Sequence, residues 1–274
     1  MNHLAELAER DAVGEVAELY ADIRAVLGTS FVNLVYRHLA TEPEQLAWAW
    51  RAVRPHMVDG ALAAQATRLG DAVGRQIDAW TLPPADRLQH HEDVGRLVGM
   101  YNQANTLNLL AMTHLLSVGP SRKTAPTAAA GPAAARPVAS APAAGSRALP
   151  GVPAMDALTD AQRASVARLN RLGEDTEPTI IASLYRHLAA WPDGLSFAEA
   201  VLAPLDERGL LAGARVAAFA AARELVHEEP LPMPPAPAAF VDRFGATLGQ
   251  LAGTTISKML PIGQLLQAAL SRAS

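Results

Sequence analysis

The sequence contains no cysteine, and this absence removes several kinds of chemistry at once. Without a thiol the chain has no disulfide, no thiolate nucleophile and no cysteine-based zinc site. Lysine is nearly as rare, because Lys123 and Lys258 are the only two in the chain. Acidic residues (27) outnumber basic ones (23), so the formal net charge is −4. A nucleic-acid-binding surface needs clustered lysine and arginine, so nucleic acid is not an expected partner.

Aromatic residues and long apolar runs are also scarce. Aromatics make up 5% of a chain that is 50% hydrophobic, so alanine, leucine and valine must form most of the core. No stretch reaches the roughly 18–20 uninterrupted apolar residues that a membrane-spanning helix needs. The first residues, "MNHLAELAERDAVG", are charged and lack the apolar segment of a secretory signal. We therefore expect a cytoplasmic protein without a membrane partner.

What the sequence does contain is a long internal repeat. "VYRHLATEP" begins at Val35 and "LYRHLAAWP" begins at Leu184, and their tyrosines are 149 residues apart (185 − 36). That distance is far longer than a solenoid period. Flanking segments also match in order, for example "RPHMVDGALAA" with "APLDERGLLAG". The pattern indicates that one domain-sized unit was duplicated.

The two copies are separated by a segment of different composition. Alanine, proline, glycine and serine dominate between Ser117 and Asp156, and apolar periodicity stops there. Such a composition is typical of a flexible tether. We therefore place the first repeat at residues 1–117, the linker at 118–155 and the second repeat at 156–274.

The apolar spacing within both repeats is helical. Phe31, Leu34, Val35 and Leu39 follow the i, i+3, i+4, i+8 pattern, and no alternating β pattern occurs. The predicted fold is therefore all-α, with two tandem homologous helical repeats packed on each other as a pseudo-dimer. Longer helical patterns cover four further segments: Val58–Trp80, His91–Ser117, Asp206–Glu228 and Ala239–Arg272.

Few polar residues interrupt the apolar helices, and these are the candidates for a site. Asn102, Asn105 and Asn108 lie in the apolar stretch "VGMYNQANTLNLLAMTHLL". They could hold a water or a substrate group between the repeats, or bond to each other and to the backbone. Lys258 could bind a substrate carboxylate. Its neighbours are apolar, however, and this favours the interpretation that its side chain extends to place the ammonium group at the surface.

The histidines give no support for a metal site. His38 and His187 occupy matching positions in the two repeats, and a packed structural role is the favoured interpretation for both. In "QHHEDVG" the possible ligands are adjacent in sequence, whereas metal-binding helices place their ligands at i and i+4. We expect no metal and no cofactor.

Seven segments together resemble the group I 2-haloacid dehalogenases, which act on both enantiomers and are also labelled the halocarboxylic acid dehydrogenase/dehalogenase family. The segments are "GEVAELYADIRAVL", "FVNLVYRHLATEP", "LAWAW", "MYNQANTLNLLAMT", "LAAWP", "EAVLAP" and "TTIS". The resemblance implies an all-helical pseudo-dimer with its active site between the repeats. In that family a carboxylate in the second repeat activates a water, which displaces halide at C2 with inversion.

The resemblance also assigns roles to individual positions. It implies that Asn105 places the water, that Phe31 and Leu34 form pocket walls, and that Ser183 lies beside the catalytic position. Asn102, one turn from Asn105, is added as a substrate-binding candidate from its spacing. The catalytic aspartate of the family falls on Leu184, which cannot accept a proton.

Three functions are therefore considered. The first is hydrolysis of 2-haloacids with a relocated carboxylate, for which Asp175 and Glu177 are the nearest candidates. The second is a homologue that has lost or altered its activity and binds a small organic acid or an apolar ligand between its repeats. The third is a structural protein without a pocket. The missing aspartate favours the second.

Overall fold

The computed structural model describes residues 4–84, 86, 88–118, 149–178 and 180–272, and this part of the chain is all-helical, as predicted. Most of the predicted linker, residues 119–148, lies outside the described residues. One 3-10 turn precedes the helices of each half, at Glu9–Asp11 in the first and at Met155–Ala157 in the second. The first half contains α1 (Gly14–Leu27), α2 (Leu34–Leu39), α3 (Pro43–Val58), α4 (Ala61–Ile77) and α5 (His91–Ser117). The second contains α6 (Asp160–Arg171), α7 (Ser183–Leu188), α8 (Gly194–Asp206), α9 (Leu210–Glu228), α10 (Ala238–Gln250) and α11 (Ser257–Arg272).

The turns between helices have matching chemistry in the two halves. Gly60 and Gly209 lie between α3 and α4 and between α8 and α9, with φ of +88° and +70°. These left-handed conformations favour glycine. Pro55 and Pro204 lie inside the last turns of α3 and α8. The two halves thus share their helix order and turn chemistry, and the duplication stays a prediction.

The helices α2 and α7 are shorter than the apolar spacing indicated. Phe31 belongs to the predicted pattern but precedes α2, because the Thr29 hydroxyl donates to its carbonyl oxygen at 2.6 Å. In the second half the Asn170 side chain accepts from the backbone N–H of Ala182 at 3.0 Å. These contacts between side chain and backbone keep the preceding residues out of the helix.

The final helical stretch differs between the two halves. The first half ends in a single helix, α5, with the bounds that the sequence predicted. The predicted helix Ala239–Arg272 is instead divided into α10, a π-helical segment at Leu251–Ile256, and α11. Such π segments widen a helix locally and are frequent at functional sites.

Two apolar cores hold the structure together, and each draws on both halves of the chain. The first core combines α1–α3 and the end of α5 with residues of α10 such as Phe240 and Phe244. The second combines α6–α8 and α11 with residues from the start of α5, such as Val94 and Leu97. The N-terminal part of each final helical stretch therefore packs on the opposite half.

This exchange of helices predicts that neither half folds alone. Residues 1–117 and 156–274, expressed separately, should each lack a cooperative thermal transition, because each loses one wall of its core. Mixing the two fragments should restore the helical circular dichroism signal and the transition. A cooperative transition in either fragment, shown to be monomeric by light scattering, would contradict the interpretation.

A buried histidine in α5 makes the stability depend on pH. Burial first, and then the nearby charge of His56, lower the pKa of His114 from 6.5 to about 4. Its Nε2 lies 2.9 Å from the Gln65 side-chain oxygen. The neutral ring is therefore kept in the folded state, while the unfolded chain takes up a proton below about pH 6.5.

The stability should consequently fall as the pH drops from about 6.5 to about 4. His114→Gln keeps a donor for the Gln65 side-chain oxygen. In this variant the urea midpoint of unfolding should change less with pH over this range than it does in the wild type. An unchanged pH profile in H114Q would show that another group causes the loss.

Among the described residues no helix is both long enough and apolar enough to cross a bilayer.

Candidate functional site

A small cavity lies between the two halves, where the starts of α2 and α7 meet α5 and the π segment. Its volume is about 40 Å³, enough for about three water molecules or one very small ligand. We call it the inner cavity. Its lining residues are Phe31, Asn33, Leu34, Val35, Tyr101, Asn105, Asn108, Ala182, Ser183, Leu184, Leu251, Thr255, Ile256 and Met259.

Buried polar contacts position the segment that enters α7. The Asn170 side chain donates to the Ile180 carbonyl oxygen at 2.8 Å and accepts from the Ala182 N–H at 3.0 Å. The Lys258 ammonium in turn donates to the Asn170 carbonyl oxygen at 2.6 Å. These contacts hold residues 182–184 against the inner cavity.

A different contact positions the segment before α2. One oxygen of the Glu9 carboxylate accepts from the Val32 N–H at 2.7 Å, and the other accepts from Arg24 at 2.5 Å. The segments that precede α2 and α7 are therefore held by different contacts, from Glu9 before α2 and from Asn170 before α7.

Three asparagine side chains supply most of the polarity of the inner cavity. The Tyr36 hydroxyl donates to Asn108 Oδ1 at 2.9 Å, while Asn108 Nδ2 and Asn33 Oδ1 are buried without a partner among the described residues. Asn105 is buried as well and lines the same cavity. Unpaired buried polar atoms beside a cavity are normally satisfied by water or by a ligand.

No carboxylate, imidazole, ammonium or guanidinium group is among the residues that line the inner cavity. Leu184, the position at which the sequence resemblance predicts an aspartate, lies on the wall and is 1% exposed. The remaining titratable group is Tyr101, and burial raises the pKa of its hydroxyl far above the ordinary range. The lining therefore offers hydrogen bonds but no general base at neutral pH.

Neither proposed substitute carboxylate lines the inner cavity. Asp175 forms an ion pair with Arg215 at 2.6 Å, and its side chain is 76% exposed. Glu177 pairs with Arg171 at 2.8 Å on the surface. The structure therefore gives no support to a relocated base at these two positions.

Five of the six site residues chosen from the sequence meet in one place. Asn105, Leu184, Phe31, Leu34 and Ser183 all line the inner cavity. Asn102 is the exception among them, since it packs on α11, where its Oδ1 lies within 1.7 Å of where a Cβ on Gly263 would be. The roles of all six remain predictions.

The contact between Asn102 and Gly263 leads to a stability prediction. Gly263→Ala should destabilise the protein by roughly 1–3 kcal/mol, because the new methyl group overlaps the buried Oδ1 of Asn102. In Gly95→Ala, a control in α5, the Cβ meets nothing within 4 Å. That change should be neutral or slightly stabilising.

Thermal unfolding of the double variant identifies the cause. Asn102→Ala combined with Gly263→Ala should recover most of the loss, since the overlapping amide is gone. Equal melting temperatures for G263A and wild type would show that α11 shifts to accommodate the methyl group.

Several residues of the inner cavity were not found from the sequence. Asn33 precedes α2 and Tyr101 stacks on Phe31, with ring centroids 4.5 Å apart. Asn33 could have been noticed as a polar residue three positions before the tyrosine of the repeated "YRHLA" word. Thr255 faces the inner cavity from the π segment, which no sequence pattern indicated.

One prediction about polar residues was wrong and another is confirmed. Lys258 does not carry its charge to the surface: it is 1% exposed and pairs with Glu174 at 2.6 Å. The two repeated histidines do serve as structural contacts. His38 Nδ1 lies 2.7 Å from the Ala5 carbonyl oxygen, and His187 Nε2 lies 2.6 Å from that of Pro150.

Known proteins resemble this chain in fold rather than in sequence. No family model and no curated protein match the sequence. A D-2-haloacid dehalogenase mutant in complex with D-2-CPA matches with a TM-score of 0.67 and 14% identity, covering 99% of this chain and 96% of that one. A second D-2-haloacid dehalogenase mutant structure gives 0.70 and 15%, covering 98% and 94%.

A third similar structure is a D-2-haloacid dehalogenase in complex with L-LA, with a TM-score of 0.65 and 15% identity over 97% of this chain and 96% of that one. The chain therefore has the all-helical fold of these D-2-haloacid dehalogenase structures along nearly its whole length. At such low identity the likeness establishes the fold alone.

Proposed function

We propose that this protein is a 2-haloacid dehalogenase homologue that has lost its hydrolytic activity and holds a short organic acid in the inner cavity. The fold and the resemblance of its sequence segments support the relationship. The observation that carries the loss of activity is Leu184, on the wall of the inner cavity where the family's aspartate would be.

The inner cavity lacks the group that hydrolysis requires. Displacement of halide by water needs a base within hydrogen-bond reach of that water, which typically contributes 10²- to 10⁴-fold in rate. The Asn105 amide can orient a water by hydrogen bonding. At neutral pH, however, an amide oxygen does not accept a proton from that water. Leucine supplies neither function, and no base is among the described residues that line the inner cavity.

The lining retains groups that can bind a small acid. Phe31 and Leu34 form apolar walls, and the unpaired Asn108 Nδ2 offers a buried donor. Asn105 and the Ser183 hydroxyl add further hydrogen-bonding groups. A short acid such as a 2-chloropropionate could place its oxygens on these donors and its methyl and chlorine against the walls. The small volume of the inner cavity favours short ligands over long ones.

A paired assay tests the proposal. With either enantiomer of 2-chloropropionate, the protein should release no halide above the buffer rate, yet its melting temperature should rise. Asn105→Ala should remove the thermal shift. Halide release by the wild type that Asn105→Ala abolishes would overturn the proposal in favour of a working dehalogenase.

The apolar lining gives a specific reason to test a neutral ligand as well. Most of the residues that line the inner cavity are apolar, and none is charged at neutral pH. 2-Chloropropane has the same halogenated carbon without the carboxylate. A thermal shift with 2-chloropropane but none with the acids would assign an apolar ligand.

A further inference from the structure

A second and larger pocket opens outside the inner cavity, and Leu34 lines both. Its volume of about 390 Å³ is nearly ten times that of the inner cavity and falls in the range of ligand sites. We call it the outer pocket. Apolar residues at 4–5, 154–155 and 180–181 form its walls together with Leu34, and Glu6 and Arg186 are its charged residues.

The outer pocket contains an arginine without a carboxylate partner among the described residues. Arg186 Nε and Nη2 both donate to the carbonyl oxygen of Pro153, at 3.0 and 2.7 Å. A guanidinium group carries five N–H donors, so most of its donating capacity remains unused in this part of the chain. Arg186 is half-buried, and burial lowers its pKa.

The matching arginine of the first half has a carboxylate partner that Arg186 lacks among the described residues. Arg37 occupies the same place in the repeated "YRHLA" word, and its guanidinium pairs with the Glu6 carboxylate at 2.9 Å. Glu6 is therefore already neutralised by Arg37. In the second half Arg186 donates to the Pro153 carbonyl oxygen instead. The Glu6 and Asp156 carboxylates act on Arg186 through their charge, but among the described residues neither forms an ion pair with it.

We propose that the outer pocket binds a medium-chain aliphatic monocarboxylate, with its carboxylate on Arg186 and its hydrocarbon chain along the apolar walls. A carboxylate accepts strong, charge-assisted hydrogen bonds from guanidinium. A half-buried cation in apolar surroundings gains from such a partner. The apolar side chains at 180–181 and 154–155 would cover the chain. This inference does not depend on what the inner cavity holds.

Titration calorimetry with octanoate tests the inference. Wild-type protein should bind octanoate, and Arg186→Gln should weaken this binding about tenfold or more, because one charge-assisted contact is lost. Arg51→Gln, the same change at an exposed arginine on α3, is the matched control and should bind like wild type. 1-Octanol, with the same chain and no charge, should bind wild type more weakly than octanoate does.

A second variant protects the test against a folding defect in R186Q. Ala154→Phe places a ring in the outer pocket and should abolish octanoate binding while leaving the thermal shift with 2-chloropropionate intact. Asn105→Ala should have the opposite effect, so failure of this inference and failure of the proposed function are distinguishable. Octanoate affinity that is unchanged in folded R186Q or A154F, or lost in N105A, would overturn the inference.

Discussion

Leu184→Asp is expected to give the protein a halide-releasing activity that the wild type lacks. The side chain at this position lies on the wall of the inner cavity, on the same lining as Asn105. A carboxylate there would supply the base that the displacement needs, beside an amide that can orient the water. General-base catalysis of this kind is worth about 10²- to 10⁴-fold, and the rate with 2-chloropropionate should rise by that order.

The rate of halide release by Leu184→Asp should also depend on pH. Leu184 is 1% exposed, so an aspartate there is desolvated and its pKa is raised above the ordinary 3.9. Only the ionised form is a base, so halide release should increase as the pH rises through that higher pKa. Stability should decrease, since the folded state must bury a carboxylate that the unfolded chain leaves in water.

Two variants separate catalysis from mere burial of a polar group. Leu184→Asn has the same size as the aspartate and cannot take the proton, so it should release no halide. Val35→Asp places a carboxylate at the matching position of the first half, also on the wall of the inner cavity. It should be destabilised to a similar degree without gaining activity. Equal activity in V35D and L184D would refute a position-specific base.

The all-helical fold could be predicted because the apolar spacing is local information. α5 begins and ends where the sequence pattern does, at His91 and Ser117. α2 and α7 could not be bounded in the same way. Their starts depend on Asn170, whose partners are 10 and 12 residues away, and on Glu9, which contacts Val32 from a distance of 23 residues. A pattern of apolar positions contains no record of such contacts.

The candidate site was found through the duplication and the family resemblance rather than through periodicity. Aligning the two repeats brings Leu184 opposite Val35, and the structure places both on the inner cavity. Asn102 and Asn105 are three apart, which indicated a shared face, yet only Asn105 reaches the inner cavity. The rotation of a helix about its own axis is decided by packing, here by the close approach of Gly263 to Asn102.

Lys258 shows the limit of sequence reasoning most clearly, and its removal should have a large effect on stability. Its partner Glu174 is 84 residues away (258 − 174), with side-chain exposures of 1% for the lysine and 7% for the glutamate. Burial lowers the pKa of this ammonium, while the Glu174 carboxylate opposes the change. Removing one member of a buried pair leaves the other charge without compensation.

Lys258→Met should therefore destabilise the protein by about 3–5 kcal/mol, or a decrease in melting temperature of roughly 10 °C. Replacing both members, in Lys258→Met with Glu174→Leu, should recover most of this loss, because two apolar side chains fill the same space without a buried charge. Arg171→Met removes one member of the exposed pair with Glu177 and should leave the melting temperature close to that of the wild type, because water screens this pair.

Ligand binding distinguishes the two roles of Lys258. Its ammonium also donates to the Asn170 carbonyl oxygen, and Asn170 holds the segment that enters α7. The double variant restores stability but not this donor, so it should melt near the wild-type temperature and still show a reduced thermal shift with 2-chloropropionate. A full thermal shift in the double variant would show that Asn170 positions α7 without help from Lys258. A single K258M variant as stable as wild type would contradict the buried pair itself.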